Sequence, residues 1–187
     1  MVLTTKRILT WAFLLTVIFS VSSCKKSTYY QLTEEEMEWL VYKNNEVLKF
    51  ENQNGDLLRY YVTIRVKGYD QDGDIYNEST GASFIQLNDT TALFTEDSQG
   101  SHNMRKSADG FLVTLTWPHF PVKAVPLTSL VPSFATIGGI NYDDVFVIDG
   151  SNLTDIRFYN KKLWVSKSEG VLQIEDTAGN VWVRDFL

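Results

Sequence analysis

The sequence predicts a mainly β fold: an antiparallel β-sandwich or barrel-like sheet with one short N-terminal helix. Apolar and polar residues alternate from Leu58 to Lys67, which is the pattern of a strand with one buried face. Asn54-Gly55 stands just before that run and is a strong hairpin signal. After Asp144, short apolar runs alternate with glycine-containing turns, as they do in sandwiches and barrels.

The first 23 residues have the layout of a secretory signal peptide. Lys6 and Arg7 precede an apolar run of about 14 residues, Ile8 to Val21, and small residues follow it. The run is shorter than the roughly 20 residues that a helix needs to cross a bilayer, which argues against a permanent transmembrane helix. We therefore expect residues 1–23 to be a signal peptide that is removed.

The end of this segment, Val21-Ser22-Ser23-Cys24, resembles the lipobox of bacterial lipoproteins. The resemblance implies cleavage between Ser23 and Cys24, a diacylglyceryl group on the Cys24 thiol and acylation of the new N-terminus. Cys24 is the only cysteine in the chain. An ordinary signal peptide that happens to contain a cysteine is the alternative. Each buried acyl methylene contributes about 0.8 kcal/mol, so three chains would anchor the protein stably in a membrane.

Lys25 follows Cys24, at the position where an aspartate favours inner-membrane retention of Gram-negative lipoproteins. By that resemblance we expect the protein on the periplasmic face of the outer membrane. Acidic residues after the cysteine mark surface export in some Bacteroidota lipoproteins, and lysines stand here instead. Exposure at the cell surface is the alternative.

The charge of the chain excludes one class of partner. The net charge is −6, and without residues 1–23 the 17 bases fall to 15 against 23 acids, a net charge of −8. Nucleic-acid binding depends on cations that neutralise phosphates, so nucleic acid is not an expected partner. With Cys24 acylated, no thiol is left for a disulfide or a zinc site. No cofactor is predicted.

Residues 24–30 are expected to be the lipidated cysteine and its tether, and residues 31–187 a single β-rich domain. Thr33 and Glu36 form a capping-box pattern, which predicts one short helix after Thr33. The predicted strands cover Val47 to Phe50, Leu58 to Val66, Ser83 to Leu87, Phe111 to Trp117, Asp144 to Ile148, Ile156 to Tyr159, Leu163 to Val165, Val171 to Ile174 and Val181 to Phe186.

Several stretches between the strands are expected to be irregular. Asn54-Gly55 predicts a two-residue turn. Asp70 to Asp74 is rich in acids and predicts a loop, and the polar stretch from Thr95 to Gly110 predicts a mobile loop. Four prolines make residues 118–133 a poor central strand and favour an extended edge or covering segment.

Two blocks of sequence resemble uncharacterised Bacteroidota lipoproteins. They are residues 42–66, YKNNEVLKFENQNGDLLRYYVTIRV, and residues 140–183, which contain INYDDVFVI and IRFYNKKLWVSKSEGVLQIEDTAGNVWV. The features of the second block that match that family are Tyr142, Phe158-Tyr159, Gly170 and Trp182. The resemblance implies no catalytic residues and no assigned activity.

Residues 62–87 also resemble the central hairpin of FKBP-type prolyl isomerases. The features that stand in that family's order are Gly68, Asp72-Gly73, Tyr76, Ser79-Thr80 and Phe84. The resemblance implies an apolar pocket, bordered by Tyr76 and Phe84, that binds a prolyl ring. The family's V-I-x-G-W and A-Y-G segments are absent, so an ordinary hairpin is the main interpretation.

Asp70, Asp72 and Asp74 bring together three carboxylates of the kind that Ca²⁺ prefers. The glycine and glutamate spacing of a calcium loop is missing, so a solvated hairpin end is the main interpretation and no metal is expected. His102 and His119 are the only histidines and are too few and too far apart in sequence for a zinc site. We interpret both as surface or loop residues.

Burial in the core is the main interpretation of the tryptophans in apolar strands, and a platform that stacks on sugar rings is the alternative. The candidates for that platform are Trp117, Tyr159, Trp164 and Trp182. Asp89-Thr90-Thr91 and Asp176-Thr177-Ala178 match the O-glycosylation pattern of Bacteroidota envelope proteins. Thr90 and Thr177 are therefore candidate modification sites.

The sequence thus predicts a cell-envelope lipoprotein whose β domain is a non-enzymatic binding or structural module. Its expected partners are the membrane, through the lipid, and an envelope protein or a glycan. A dedicated glycan-binding lipoprotein and an FKBP-like prolyl isomerase are the alternatives.

Overall fold

The computed structural model describes residues 26–87, 99–121, 124–151 and 159–186. These residues form twelve strands, one four-residue helix and a 3-10 turn, so the predicted mainly β fold with a short N-terminal helix is confirmed. The strands join in one large sheet that curls into a half-barrel.

In chain order the elements are β1 Thr28–Tyr30, α1 Glu34–Met37, β2 Val47–Glu51, β3 Leu57–Asp72, β4 Ile75–Gln86, β5 Gln99–Ser107, β6 Gly110–Thr116, β7 Val125–Pro126, a 3-10 helix Leu127–Ser129, β8 Ser133–Ile137, β9 Ile140–Asp149, β10 Asn160–Ser166, β11 Gly170–Asp176 and β12 Val181–Asp185. Eleven strands are antiparallel to their neighbours in the order β7-β6-β5-β4-β3-β2-β12-β11-β10-β9-β8. β1 pairs in parallel with the start of β4, so the segment predicted to be a tether includes a short strand.

The main core lies on the concave face of the curled sheet and draws on both halves of the chain. Its largest fully buried apolar side chains are Phe50, Tyr60, Phe84, Met104, Leu115, Leu127, Leu163 and Ile174. Fully burying one large apolar side chain contributes about 1.5–3 kcal/mol. The end of β6 reaches β10, where the Asn160 side-chain amide donates to Pro118 O at 2.7 Å. This contact joins the segment after β6 to the start of β10.

A second, smaller cluster lies on the other face of the sheet. Ile137, Val145 and Leu172 are buried there, and Trp164 and Val183 pack against them. The β8–β9 hairpin therefore covers the outer face of β10 to β12.

The predicted helix start is confirmed by its hydrogen bonds. Glu36 N–H donates to Thr33 Oγ1 at 3.2 Å, and Thr33 N–H donates to Glu36 Oε2 at 2.9 Å. This reciprocal pair satisfies two N–H groups that the helix itself leaves unbonded.

The hairpin at Asn54-Gly55 is formed, but the predicted two-residue turn is wrong. Asn52 N–H donates to Asp56 O, and Gly55 N–H donates to Asn52 O, both at 3.1 Å, so residues 53–55 form a three-residue loop. Gly55 has a φ of +83°, which glycine adopts at little cost. Asn52 Oδ1 also accepts the N–H groups of Asn54 and Asp56, which favours the wider loop.

The loop predicted from Asp70 to Asp74 is also wrong. Strand pairing continues as far as Asp72, which lies opposite Ile75, and only Gly73 and Asp74 form the turn. β4 consequently begins eight residues before the predicted strand at Ser83. Pairing with β3 on one side and β1 on the other holds this polar segment in the sheet.

The predicted loop from Thr95 to Gly110 contains β5, which pairs with β4 and β6. Gly100, His102 and Met104 are its buried positions. Because two of these three residues are not typical core residues, the sequence alternation is hard to recognise.

The remaining strand predictions agree with β6, β9, β10, β11 and β12. β7 pairs with β6 alone among the described residues, as expected for an edge in the proline-rich segment. The strand predicted from Ile156 to Tyr159 lies outside the described residues, apart from Tyr159, which directly precedes β10.

Candidate functional site

The interior of the curled sheet is filled by aromatic side chains. The Trp117 ring lies 4.8 Å from the ring of Tyr60, 4.9 Å from that of Phe84 and 6.1 Å from that of Phe50, measured between centroids. Trp117 is only 3% exposed. Trp117 therefore lies in the core, in agreement with the main interpretation, and a ring there cannot stack on an external ligand.

The three other platform candidates do not lie on one surface. Trp164 packs with Val183 in the outer cluster. Trp182 packs against the main core on the opposite face, and its indole N–H donates to Asp176 Oδ2 at 3.2 Å. Tyr159 stacks on His119 with ring centroids 4.3 Å apart. The structure therefore brings none of the predicted platform together.

The residues expected to border a prolyl pocket are also separated. Phe84 is completely buried, whereas Tyr76 lies near the tip of the β3–β4 hairpin, where its ring stacks on that of Tyr29 with the ring centroids 4.6 Å apart. Eight residues along one strand correspond to about 26 Å. Tyr76 and Phe84 therefore do not border one pocket.

Asp70, Asp72 and Asp74 are exposed at the tip of the β3–β4 hairpin. Asp70 and Asp72 share one face of the strand, and Asp74 lies in the turn, where its carbonyl accepts the Thr28 N–H at 2.8 Å. Among the described residues no group of three or more histidine, cysteine or acidic side chains could hold a metal ion. The three aspartates thus do not form the cation site considered from the sequence.

The interpretation of the histidines as surface or loop residues is wrong for His102 and correct for His119, which lies in the turn after β6. His102 lies in β5 with 1% of its surface exposed, and its ring centroid lies 5.6 Å from that of Tyr42. Burial lowers the pKa of His102 to about 4, so the imidazole is neutral at pH 7. His119 is buried in the segment after β6. The two rings have different neighbours and form no shared site.

Of the lipidation and glycosylation candidates, the structure describes Thr177 alone. Ser23, Cys24 and Thr90 lie outside the described residues. Thr177 is exposed in the turn between β11 and β12, and its N–H donates to Tyr159 O at 2.7 Å. The neighbouring Asp176 carboxylate holds the turn together, accepting the N–H groups of Ala178 and Asn180.

A mixed-charge cleft of about 290 Å³ lies where β2 begins and its neighbour β12 ends. It is lined by Val41, Lys43, Glu46, Val47, Leu48, Glu169, Arg184, Asp185 and Phe186. The Arg184 guanidinium packs over the Phe186 ring at 4.6 Å and donates to Glu169 O. Glu46 accepts the Lys43 N–H at 3.0 Å. Two charged side chains of the cleft, Arg184 and Glu46, therefore bond to the protein itself.

Three tyrosines form a cluster beside β1 that was not predicted from the sequence. Tyr29 stacks on Tyr76 and lies edge-on to Tyr69, with centroids 5.8 Å apart in the second pair. Tyr29 is 54% exposed and Tyr69 is 44% exposed. The sequence signal for this cluster is that Tyr69 and Tyr76 stand on either side of the Asp72-Gly73 turn. Their contact with Tyr29 depends on the β1–β4 pairing, which the sequence does not reveal.

Comparisons of the chain with protein-family models, curated proteins and solved structures find no match. No helix among the described residues is long and apolar enough to span a membrane.

Proposed function

We propose that this chain is a cell-envelope lipoprotein, held on the periplasmic face of the outer membrane by lipid on Cys24. The observation that carries the proposal is the leader that ends at the chain's only cysteine, four residues before β1 begins. A secretory leader delivers the thiol to a membrane, and a tether of this length keeps the folded domain beside it.

We further propose that the β domain acts as a non-enzymatic binding or structural module. The polar side chains of the described residues support this, because many of them stabilise the fold. Asp144 Oδ2 accepts from Ser166 Oγ at 2.8 Å and from Ser168 N–H at 3.0 Å, and Glu78 accepts the Leu32 N–H at 2.6 Å. Binding would then use the exterior of the domain, since its interior is filled.

The lipid anchor is tested by the variant Cys24→Ala, expressed with its own leader. We expect intact-mass analysis to show acyl chains on the N-terminus of the mature wild-type protein, and we expect that protein to sediment with membranes. Cys24→Ala should lack the acyl mass and move to the soluble fraction. Ser22→Ala is the matched control, because it keeps a small residue before the cysteine and should remain acylated. A wild-type N-terminus without acyl chains would overturn the proposal.

A further inference from the structure

The end of the domain next to the anchor is fixed by β1. Thr28 N–H donates to Asp74 O at 2.8 Å, so the chain enters the fold directly beside the turn of the β3–β4 hairpin. Thr28 is four residue steps after Cys24, and an extended chain spans at most about 14 Å over that length. A lipid on Cys24 therefore keeps this hairpin tip close to the membrane surface.

The two faces of the hairpin tip differ in chemistry. Tyr69 lies opposite Glu78 and Gln71 opposite Tyr76, so these four residues share one face. Tyr29 joins that face through its pairing with Tyr76. Tyr29 and Tyr69 present exposed rings there, and we call this surface the tyrosine face.

Carboxylates stand mainly on the opposite face of the tip. Asp70 lies opposite Asn77 and Asp72 opposite Ile75, and Asp72 shares a groove with Arg105. The carboxylate on the tyrosine face is Glu78, which is buried, accepts the Leu32 N–H and lies 3.7 Å from Lys67. The paired residues that define the tyrosine face thus include exposed rings but no exposed acid.

We propose that the tyrosine face rests on the bilayer, with Tyr29 and Tyr69 in the headgroup region. The inference depends on the proposed lipid anchor, which supplies the proximity. Tyrosine favours membrane–water interfaces because its ring is apolar and its hydroxyl remains hydrated. Because Asp70 and Asp72 lie on the other face, the tip can lean on the membrane without burying their charges.

This orientation places the other end of the sheet away from the membrane. β3 runs from Leu57 to Asp72, about 50 Å along the strand. Leu57 pairs with Glu51, and Glu51 pairs with Val183, so the β11–β12 turn that contains Thr177 lies at the distal end. A label at Thr177 and a label near the tyrosines should therefore report different distances from the lipid.

The experiment uses the full-length, acylated protein in phosphatidylcholine vesicles that contain headgroup spin-labelled lipid. Acylation consumes the Cys24 thiol, so a single introduced cysteine accepts a fluorophore selectively. Gln71→Cys places the label on the tyrosine face, and Thr177→Cys places it at the distal turn. We expect the lipid spin label to quench the Gln71 label at least threefold more than the Thr177 label. Equal quenching in acylated protein would overturn the orientation alone, whereas an unacylated N-terminus would overturn the anchor and the inference together.

The role of the rings is tested in the same labelled protein. The double substitution Tyr29→Ser and Tyr69→Ser should reduce quenching of the Gln71 label at least twofold while the acyl mass stays unchanged. Phe134→Ser is the matched control, since it removes an exposed ring from β8, and it should leave quenching unchanged. Circular dichroism verifies that each variant is folded. Unchanged quenching in the folded double variant would show that the tyrosines do not contact the bilayer.

Discussion

At the scale of single residues, His102 is the buried group whose chemistry fits its surroundings least. It pairs with Ala82 on one side and Leu115 on the other, and the Tyr42 ring lies against it. Its two ring nitrogens have no hydrogen-bond partner among the described residues. The titratable neighbour is Tyr42, whose pKa burial raises to about 12, so no charge compensates a protonated imidazole there. The core therefore holds His102 neutral.

This burial predicts a loss of stability in acid. The pKa of His102 is lowered to about 4 in the folded chain, against 6.5 in the unfolded chain, so the unfolded chain binds the proton first. Stability should fall as pH drops below about 6.5, by about 1.4 kcal/mol per pH unit until pH 4. Urea unfolding of wild type and His102→Leu at pH 8 and pH 5 measures this.

Between those two pH values we expect wild type to lose about 2 kcal/mol more unfolding free energy than His102→Leu. The measurement at pH 8 is the internal control, since the imidazole is neutral there in both the folded and the unfolded chain. Equal acid losses in the two proteins would contradict the prediction.

At the scale of structural elements, the β11–β12 turn is held by one carboxylate. Asp176 accepts hydrogen bonds from Ala178 N, Asn180 N, Asn180 Nδ2 and Trp182 Nε1, at 2.8 to 3.2 Å. Partial burial raises the pKa of Asp176, but these hydrogen bonds together outweigh it and bring the pKa below its usual value. The turn thus depends on an ionised side chain.

Asp176→Ala should destabilise the domain by about 2 kcal/mol, because hydrogen bonds to a charged group contribute about 1.5–3 kcal/mol. Asp109→Ala is the matched control, since Asp109 is an exposed acid in the β5–β6 turn. It should change stability by less than about 0.5 kcal/mol. Thermal unfolding of both variants at pH 7 measures the difference, and equal shifts in the midpoint would contradict it.

The elements also show which parts of the fold can be predicted from sequence. β3 and β6 begin with clear apolar alternation, and the capping box identifies α1, so local patterns are sufficient there. β5 could not be recognised, because Gly100 and His102 occupy inward positions through contact with β4 and β6. The polar end of β3 is likewise a strand because β4 pairs with it, and this pairing is not visible in its own residues.

The tyrosine face also depends on pairing that local sequence patterns do not predict. The leader and Cys24 can be recognised locally, but the tyrosine face joins Tyr29 to residues 40 or more positions later. A strand as short as β1 carries little sequence signal. The burial of Trp117 agrees with the core interpretation of strand tryptophans, but periodicity could not assign its partners Phe50, Tyr60 and Phe84, which lie on three other strands.

At the scale of the whole molecule, one core joins strands that lie far apart in the sheet. Val62 and Phe84 belong to the same buried cluster as Leu163 and Ile174. The contact of Asn160 with Pro118 links the two halves again near the end of β6. We therefore expect the domain to unfold in a single cooperative transition, as small single domains usually do.

Phe84→Ala tests this cooperativity. Removing a completely buried ring should cost about 3–5 kcal/mol, because burial is lost and a cavity is left. Phe134→Ala is the matched control, since Phe134 is 66% exposed, and it should cost less than about 0.5 kcal/mol. Tryptophan fluorescence and far-ultraviolet circular dichroism should give the same urea midpoint. Trp39 follows α1, Trp164 lies in β10 and Trp182 in β12, so the fluorescence reports on different parts of the domain that share one transition. Separate midpoints in wild type, or equal losses in the two variants, would contradict a single core that holds both halves together.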